Sequence, residues 1–255
     1  MTHGQKLIWL LTNGLLIVVV VRAIRAKLFI RYWIFYLYLS HVLIFSLVRM
    51  YIYSSKSAAY ADIYWYTQFL SLAVGYCVIW EIYRQTLSDY PGTLRIGRIA
   101  VSGLFALVML KVIIDAAYAR TWSLVSSIEE VECDLRAVQI ALLALLIGLV
   151  VYYSIPVGRN IRGMVQGYGF FVSTSVIDLT LRSYFRDSTW PWWRYSQPLM
   201  YMLTVCVWAV TLCSLQPNPK PQKVVQLETD YDLLAQRTAY AITKARNHIF
   251  RAVRP

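Results

Sequence analysis

Apolar stretches of about 20 residues recur along this chain and constrain its fold more than any other feature. A helix of that length crosses roughly 30 Å of hydrocarbon. Hydrophobic residues make up 58% of the sequence and charged residues only 15%, which is too apolar for ordinary soluble domains. The sequence therefore predicts an all-α membrane helix bundle with seven transmembrane helices. The predicted spans are Leu7–Val21, Tyr32–Ile52, Ile63–Ile82, Ile99–Tyr118, Cys133–Tyr153, Gly163–Leu181 and Pro198–Leu215.

The net charge of +12 is distributed in a way that predicts orientation. Basic residues concentrate in alternate connections, and cytoplasmic loops are the ones enriched in Lys and Arg. The connection before the fifth span is acidic instead, with Glu129, Glu130 and Glu132. We therefore expect the N-terminus outside, the C-terminus in the cytoplasm, and a location in the cell inner (cytoplasmic) membrane. This pattern also argues against nucleic acid as a partner. The basic residues concerned are Arg22, Arg25, Lys27 and Arg31, then Arg84, Arg95 and Arg98, then Arg159 and Arg162.

Two parts follow from this pattern, a transmembrane domain at 1–215 and a cytoplasmic tail at 216–255. The tail opens with "QPNPKPQK", whose prolines favour an extended spacer. An amphipathic helix with a basic end is predicted from about Thr229 or Asp230. Such a helix could lie on the lipid bilayer or dock on a cytoplasmic or membrane protein partner.

Ionisable side chains at membrane depth are costly, so their positions carry information. At 1.5 Å per residue, Lys111 lies about 18 Å from the cytoplasmic start of its span and Asp115 about 24 Å. The fifth and sixth spans bring further polar side chains to a similar outer depth. These residues predict an outward-facing cavity that binds a small ligand or lipid. The candidate lining consists of Lys111, Asp115, Arg136, Gln139, Asp178 and Arg182.

A second interpretation of the same residues stays open. They could form interhelical hydrogen bonds and salt bridges that hold the bundle together, with Arg136 and Arg182 reaching the surface. Arg49 and Gln68 fall in the same layer. His41, near the midplane of its span, is expected to be a hydrogen-bonding residue rather than a ligand.

Two further features have structural interpretations. Gly163 and Gly167 form a GxxxG pattern, for which we expect packing within the chain rather than dimerisation. Glu81 falls near the cytoplasmic end of the third span, within reach of Arg84, Arg95 or Arg98. It is therefore predicted to be a boundary residue.

The sequence offers little support for catalysis. It contains no GxSxG, HExxH, P-loop or GxGxxG motif, and its histidines and cysteines lack metal-ligand spacing. We predict neither a metal nor a cofactor, and an enzymatic role is unsupported.

Four short motifs, "WEIY", "YPG", "LRAVQI" and "GYGFF", resemble those of a group of uncharacterised bacterial seven-transmembrane-helix proteins. More remotely, the arrangement is similar to the seven-helix sensory modules of bacterial signalling proteins. The resemblance implies a sensory bundle whose output is a separate protein, because the tail is too short for a kinase domain. It implies no catalytic residue.

Three functions remain open from the sequence. The leading expectation is a receptor-like bundle with an outward-facing polar cavity. The alternatives are a structural or accessory subunit of a larger membrane complex, and a transporter.

Overall fold

The computed structural model describes residues 2–55, 60–118, 124–184, 193–216 and 218–219, and seven positions between 232 and 244. Within these residues the chain is all-helical, with 88% helix and no strand. For some helical residues, including Asp115 and Arg182, only the backbone is described. The helices are α1 (His3–Arg25), α2 (Leu28–Arg31), α3 (Trp33–Ser54), α4 (Tyr60–Thr86), α5 (Pro91–Tyr118), α6 (Leu124–Tyr152), α7 (Arg159–Tyr184) and α8 (Trp193–Thr211).

Within the described residues, four segments are long and apolar enough to cross a membrane, by length and composition. They are α1, α3, the Pro91–Lys111 part of α5 and the Val131–Tyr152 part of α6. This confirms the prediction of an all-helical chain and gives it four candidate membrane-spanning helices. The remaining long helices, α4, α7 and α8, have 27, 26 and 19 residues and carry more polar and tyrosine side chains. Seven spans and their orientation therefore stay predictions.

Six long helices contact one another in the order α1, α3, α4, α6, α7 and α8, and α8 contacts α1 again, so they form a closed ring. Helix α5 packs against α4 and α6. In addition α4 contacts α3, α5, α6 and α7, so α4 lies centrally and is surrounded largely by protein. That position explains why α4 can carry polar side chains on several faces.

Cross-helix hydrogen bonds fix the direction of each helix. Trp9, early in α1, donates to Ser46, late in α3, so these helices are antiparallel. Thr2 and Tyr195 meet at the starts of α1 and α8. Tyr83 of α4 donates to the carbonyl of Leu142 in α6, both late in their helices. Thus α1, α4, α6 and α8 begin at one end of the bundle, here called the cavity end, and α3, α5 and α7 begin at the other, the basic end.

Large apolar side chains cover much of the outer surface. Leu7 on α1, Leu107 on α5 and Val151 on α6 are all more than half exposed. Exposed apolar area on this scale is typical of a surface that faces lipid. Conversely, Phe35 and Trp208 are fully buried and stack edge to face with ring centroids 5.1 Å apart.

The GxxxG pair allows α7 and α8 to approach closely. A Cβ atom at Gly163 would lie 2.2 Å from Thr211 Oγ1, and one at Gly167 would lie 2.2 Å from Trp208 Nε1. Both contacts are within the chain, as the sequence pattern predicts for packing between helices of one bundle.

The tail is described only in part. Residues Leu212–Gln216, Asn218 and Pro219 continue from α8 without regular structure. The described positions between Asp232 and Lys244 are helical and exposed. The predicted helix start at Thr229 or Asp230 lies outside the described residues.

Candidate functional site

A cavity of about 480 Å³ opens among six helices at the cavity end. This volume is within the usual range for small-molecule sites. On α1 the lining runs from Gln5 to Leu16, which corresponds to a depth of about 16 Å. The lining residues are Gln5, Ile8, Trp9, Thr12, Asn13 and Leu16; Tyr38, Val42, Ser46, Arg49, Met50 and Tyr53; Tyr60, Tyr64, Gln68, Ser71 and Leu72; Arg136 and Gln139; Tyr168 and Phe171; and Gln197, Pro198 and Tyr201.

A buried ion pair supports one wall of the cavity. Arg136 Nη2 lies 2.7 Å from Glu132 Oε1, and each side chain is 5% exposed. Gln68 Nε2 on α4 donates to the same Glu132 oxygen at 2.8 Å, which joins α4 to α6. The Arg136 guanidinium also stacks on Phe171 of α7, 5.0 Å from the ring centroid. Arg136 is therefore neutralised and held in place from three helices.

Gln139 joins the same three helices one turn deeper. Its Nε2 donates to the Leu72 carbonyl on α4 at 3.2 Å, and its Oε1 accepts from Tyr168 Oη on α7 at 3.4 Å. A Cβ atom at Gly75 would lie 2.2 Å from that tyrosine oxygen, so a glycine makes room for the contact. Arg136 and Gln139 thus both line the cavity and fix its walls, which combines the two interpretations left open by the sequence.

Arg49 is the second cation in the cavity lining. Its Nε donates to the Phe45 carbonyl of its own helix at 3.3 Å, and its guanidinium lies 5.4 Å from the Tyr64 ring centroid. Among the described residues no carboxylate lies within salt-bridge distance of it.

The structure does not bring Lys111 and Asp178 into this cavity. Lys111 on α5 forms an ion pair with Asp134 on α6, and both side chains are substantially exposed. Asp178 on α7 is buried and accepts a hydrogen bond from Ser196 on α8 at 2.6 Å. Helical counting gives depth but not the direction a side chain faces, which explains the difference. The side chains of Asp115 and Arg182 lie outside the described residues.

Several lining residues were missed by the sequence argument, which followed charges. Trp9 and Asn13 on α1, and Gln197 and Tyr201 on α8, are neutral and amphipathic. Three-to-four spacing of Gln5, Trp9 and Asn13 in the first span was the available signal, because it places them on one helix face.

Metal chemistry receives no support here. His41 Nε2 lies 3.1 Å from Ser71 Oγ, as expected of an interhelical hydrogen bond. Among the described residues no cluster of His, Cys, Asp and Glu could hold a metal ion.

The basic end has its own set of cross-helix bonds. Glu81 is fully buried and accepts backbone N–H groups from Ile34 and Phe35, at 3.2 and 2.7 Å. It was expected to reach an arginine, but within the described residues none lies at salt-bridge distance. The first turn of a helix leaves its N–H groups without intrahelical acceptors, so a carboxylate is stabilised there.

One turn further along α4, hydrogen bonds connect α4 to the end of α2 and to the tail, and the tail to the α6–α7 loop. Gln85 Nε2 donates to the Arg31 carbonyl at 3.0 Å. Asn218 Nδ2 donates to the Gln85 carbonyl at 2.9 Å, and Asn218 Oδ1 accepts from the Gly158 N–H at 3.0 Å. We call Gln85, Asn218 and Gly158 the tail clasp. The tail is thereby held to the same helix, α4, that lines the cavity at its other end.

Comparisons with models of protein families, with curated proteins and with solved structures found no match.

Proposed function

We propose that this chain is a receptor-like seven-helix membrane bundle that binds a small ligand in the cavity and signals through its basic end and tail. The observation that carries this proposal is the cavity, because polar side chains from six helices converge around a space large enough for a small molecule.

The proposed orientation places the cavity end outside and the basic end in the cytoplasm. In support, the ends of α1 and α4 and the starts of α5 and α7 share the basic end and carry its arginines. Basic residues of this kind favour the cytoplasmic side. To test this, a single cysteine at Gln197 in a cysteine-free background would be treated with a membrane-impermeant maleimide in intact cells. Labelling supports the orientation, and labelling only after lysis contradicts it.

The route from ligand to output runs along α4 in this proposal. Its first half lines the cavity from Tyr60 to Leu72, and its last turn contacts the tail through Gln85. Replacing Asn218 with Ala should increase protease cleavage of the tail, because the hydrogen bond between the tail and α4 is lost. Gln216→Ala, at an exposed position, is the matched control. Unchanged cleavage in Asn218→Ala would contradict a route from the cavity to the tail along α4.

The accessory-subunit alternative is favoured by the peripheral position of α5. This helix contacts only α4 and α6 within the described residues and exposes Ile99, Leu107 and Ile113. Lipid would cover the same face, so purification in a mild detergent distinguishes the two. A stoichiometric partner protein would support the subunit, and a monodisperse single chain would support the receptor.

A further inference from the structure

The charge of the cavity is unbalanced. Among the described residues its lining contains two arginines and no aspartate or glutamate. Arg136 is neutralised by Glu132 directly behind the wall, whereas Arg49 has no paired carboxylate in the described part of the chain. An ionisable group at membrane depth is costly unless a partner stabilises it.

Arg49 is positioned to hold an anion. Only its Nε donates within the described part of the chain, so the two terminal Nη groups remain available as donors. The ring of Tyr64 supports the guanidinium plane from one side. A planar guanidinium with free donors matches the two oxygens of a carboxylate or phosphate.

Much of the deep part of the cavity lining is apolar or aromatic, alongside polar side chains such as Gln139. Arg49 lies five residues before the end of α3, about 8 Å from the cavity end, whereas Tyr38 lies about 16 Å deeper on the same helix. Leu16 and Leu72 complete the deep part of the lining. A ligand with its anionic group near the end of the bundle and its apolar body directed inward would match this arrangement.

Two enclosed polar atoms in the lining have no hydrogen-bond partner among the described residues. They are Asn13 Oδ1 and Tyr201 Oη. Asn13 Nδ2 donates to the Trp9 carbonyl at 2.7 Å, which fixes Oδ1 as the free acceptor. Burying a polar group without a partner costs free energy, and both oxygens are covered by neighbouring side chains rather than exposed to the cavity space.

We infer that the cavity binds an amphiphilic organic anion, with its carboxylate or phosphate on Arg49 and its apolar body between the aromatic side chains. This inference rests on the proposed ligand-binding function and adds the chemical class of the ligand.

The experiment compares three probes that differ only in their head group. Radiolabelled dodecanoate, dodecanol and dodecyltrimethylammonium would be titrated onto the full-length protein in phosphatidylcholine nanodiscs. We expect dodecanoate to bind saturably and at least about tenfold more tightly than the other two, since a charged hydrogen bond is lost with either.

Variants of Arg49 test whether this side chain causes the difference in affinity between dodecanoate and the other probes. Arg49→Gln should weaken dodecanoate binding about tenfold or more, whereas Arg49→Lys, which keeps the charge but loses the planar pair of donors, should weaken it less. Lys111→Gln removes a cation outside the cavity and is the matched control. Equal binding of dodecyltrimethylammonium, or full affinity in a folded Arg49→Gln variant, would overturn the inference while leaving a ligand-binding cavity in place. If none of the probes binds saturably, the inference and the proposed function both fail.

The same assay distinguishes a membrane lipid head group from a soluble organic anion as the ligand. Replacing part of the phosphatidylcholine with phosphatidylglycerol should weaken dodecanoate binding if a membrane lipid head group occupies the site. Unchanged dodecanoate affinity would indicate a soluble organic anion.

Discussion

The Glu81 carboxylate accepts the backbone N–H of Phe35 at 2.7 Å, although the two residues belong to different helices. Tyr32, the N-cap residue of α3, provides no side-chain cap, so a residue of α4 performs that role. The bond fixes the start of α3 against α4 at the basic end.

Glu81→Ala should therefore destabilise the bundle by about 1–3 kcal/mol, because two buried N–H groups lose their acceptor. Asp89→Asn, at an exposed position in the α4–α5 connection, is the control and should change little. The melting temperature of the purified protein in detergent measures both. Equal effects of the two substitutions would show that the cap contributes nothing.

Gly167 tests the close approach of α7 and α8. In Gly167→Ala the new Cβ would meet the fully buried indole of Trp208, so the helices must separate, at a cost of about 1–3 kcal/mol. At Gly148 a Cβ would meet nothing within 4 Å, and the alanine should be neutral or slightly stabilising. Light scattering should show the same oligomeric state for both variants. A changed oligomeric state in Gly167→Ala would instead place this glycine at an interface between chains.

The sequence predicted the positions of most helices better than it predicted their end residues or the directions in which their side chains face. The predicted span Gly163–Leu181 corresponds to α7, Arg159–Tyr184, whose extra residues are polar or lie next to polar residues and so fall outside an apolar window. The short helix α2 was not predicted either, because four residues are too few to show a helical periodicity. The bond from Glu81 to α3 joins positions 46 residues apart, and such a contact has no local signature.

The residues of the candidate site were also predicted only in part. Counting along helices put Arg49, Gln68, Arg136 and Gln139 in one layer, and all four line the cavity. The same counting included Lys111, which faces Asp134 on the outer side of the bundle instead. The neutral lining residues of α1 share one helix face by their spacing, but only the packed structure shows that this face and the start of α8 line the cavity.

Among the acids near the cavity wall, Glu132 is expected to cost the most stability when it is substituted. Glu132→Gln leaves Arg136 buried without a counter-charge, and breaking a buried pair in this way costs about 3–5 kcal/mol. The double variant Glu132→Leu, Arg136→Met removes both charges and should recover much of the loss. Asp134→Asn, which affects the exposed pair with Lys111, should cost less. Thermal unfolding in detergent compares the three, and a double variant no more stable than Glu132→Gln would refute the explanation.

Whether the cavity binds a small molecule is tested most directly by filling it. Val42 lines the cavity, and Ile44, two residues further on the same helix, is 56% exposed on the outer surface. Native mass spectrometry would record the adducts of wild type, Val42→Trp and Ile44→Trp with an equimolar mixture of dodecanoate, dodecanol and dodecyltrimethylammonium. We predict a saturable one-to-one adduct on wild type and Ile44→Trp that is lost from Val42→Trp. The same adducts on both tryptophan variants, or none that saturates on wild type, would contradict a ligand-binding cavity.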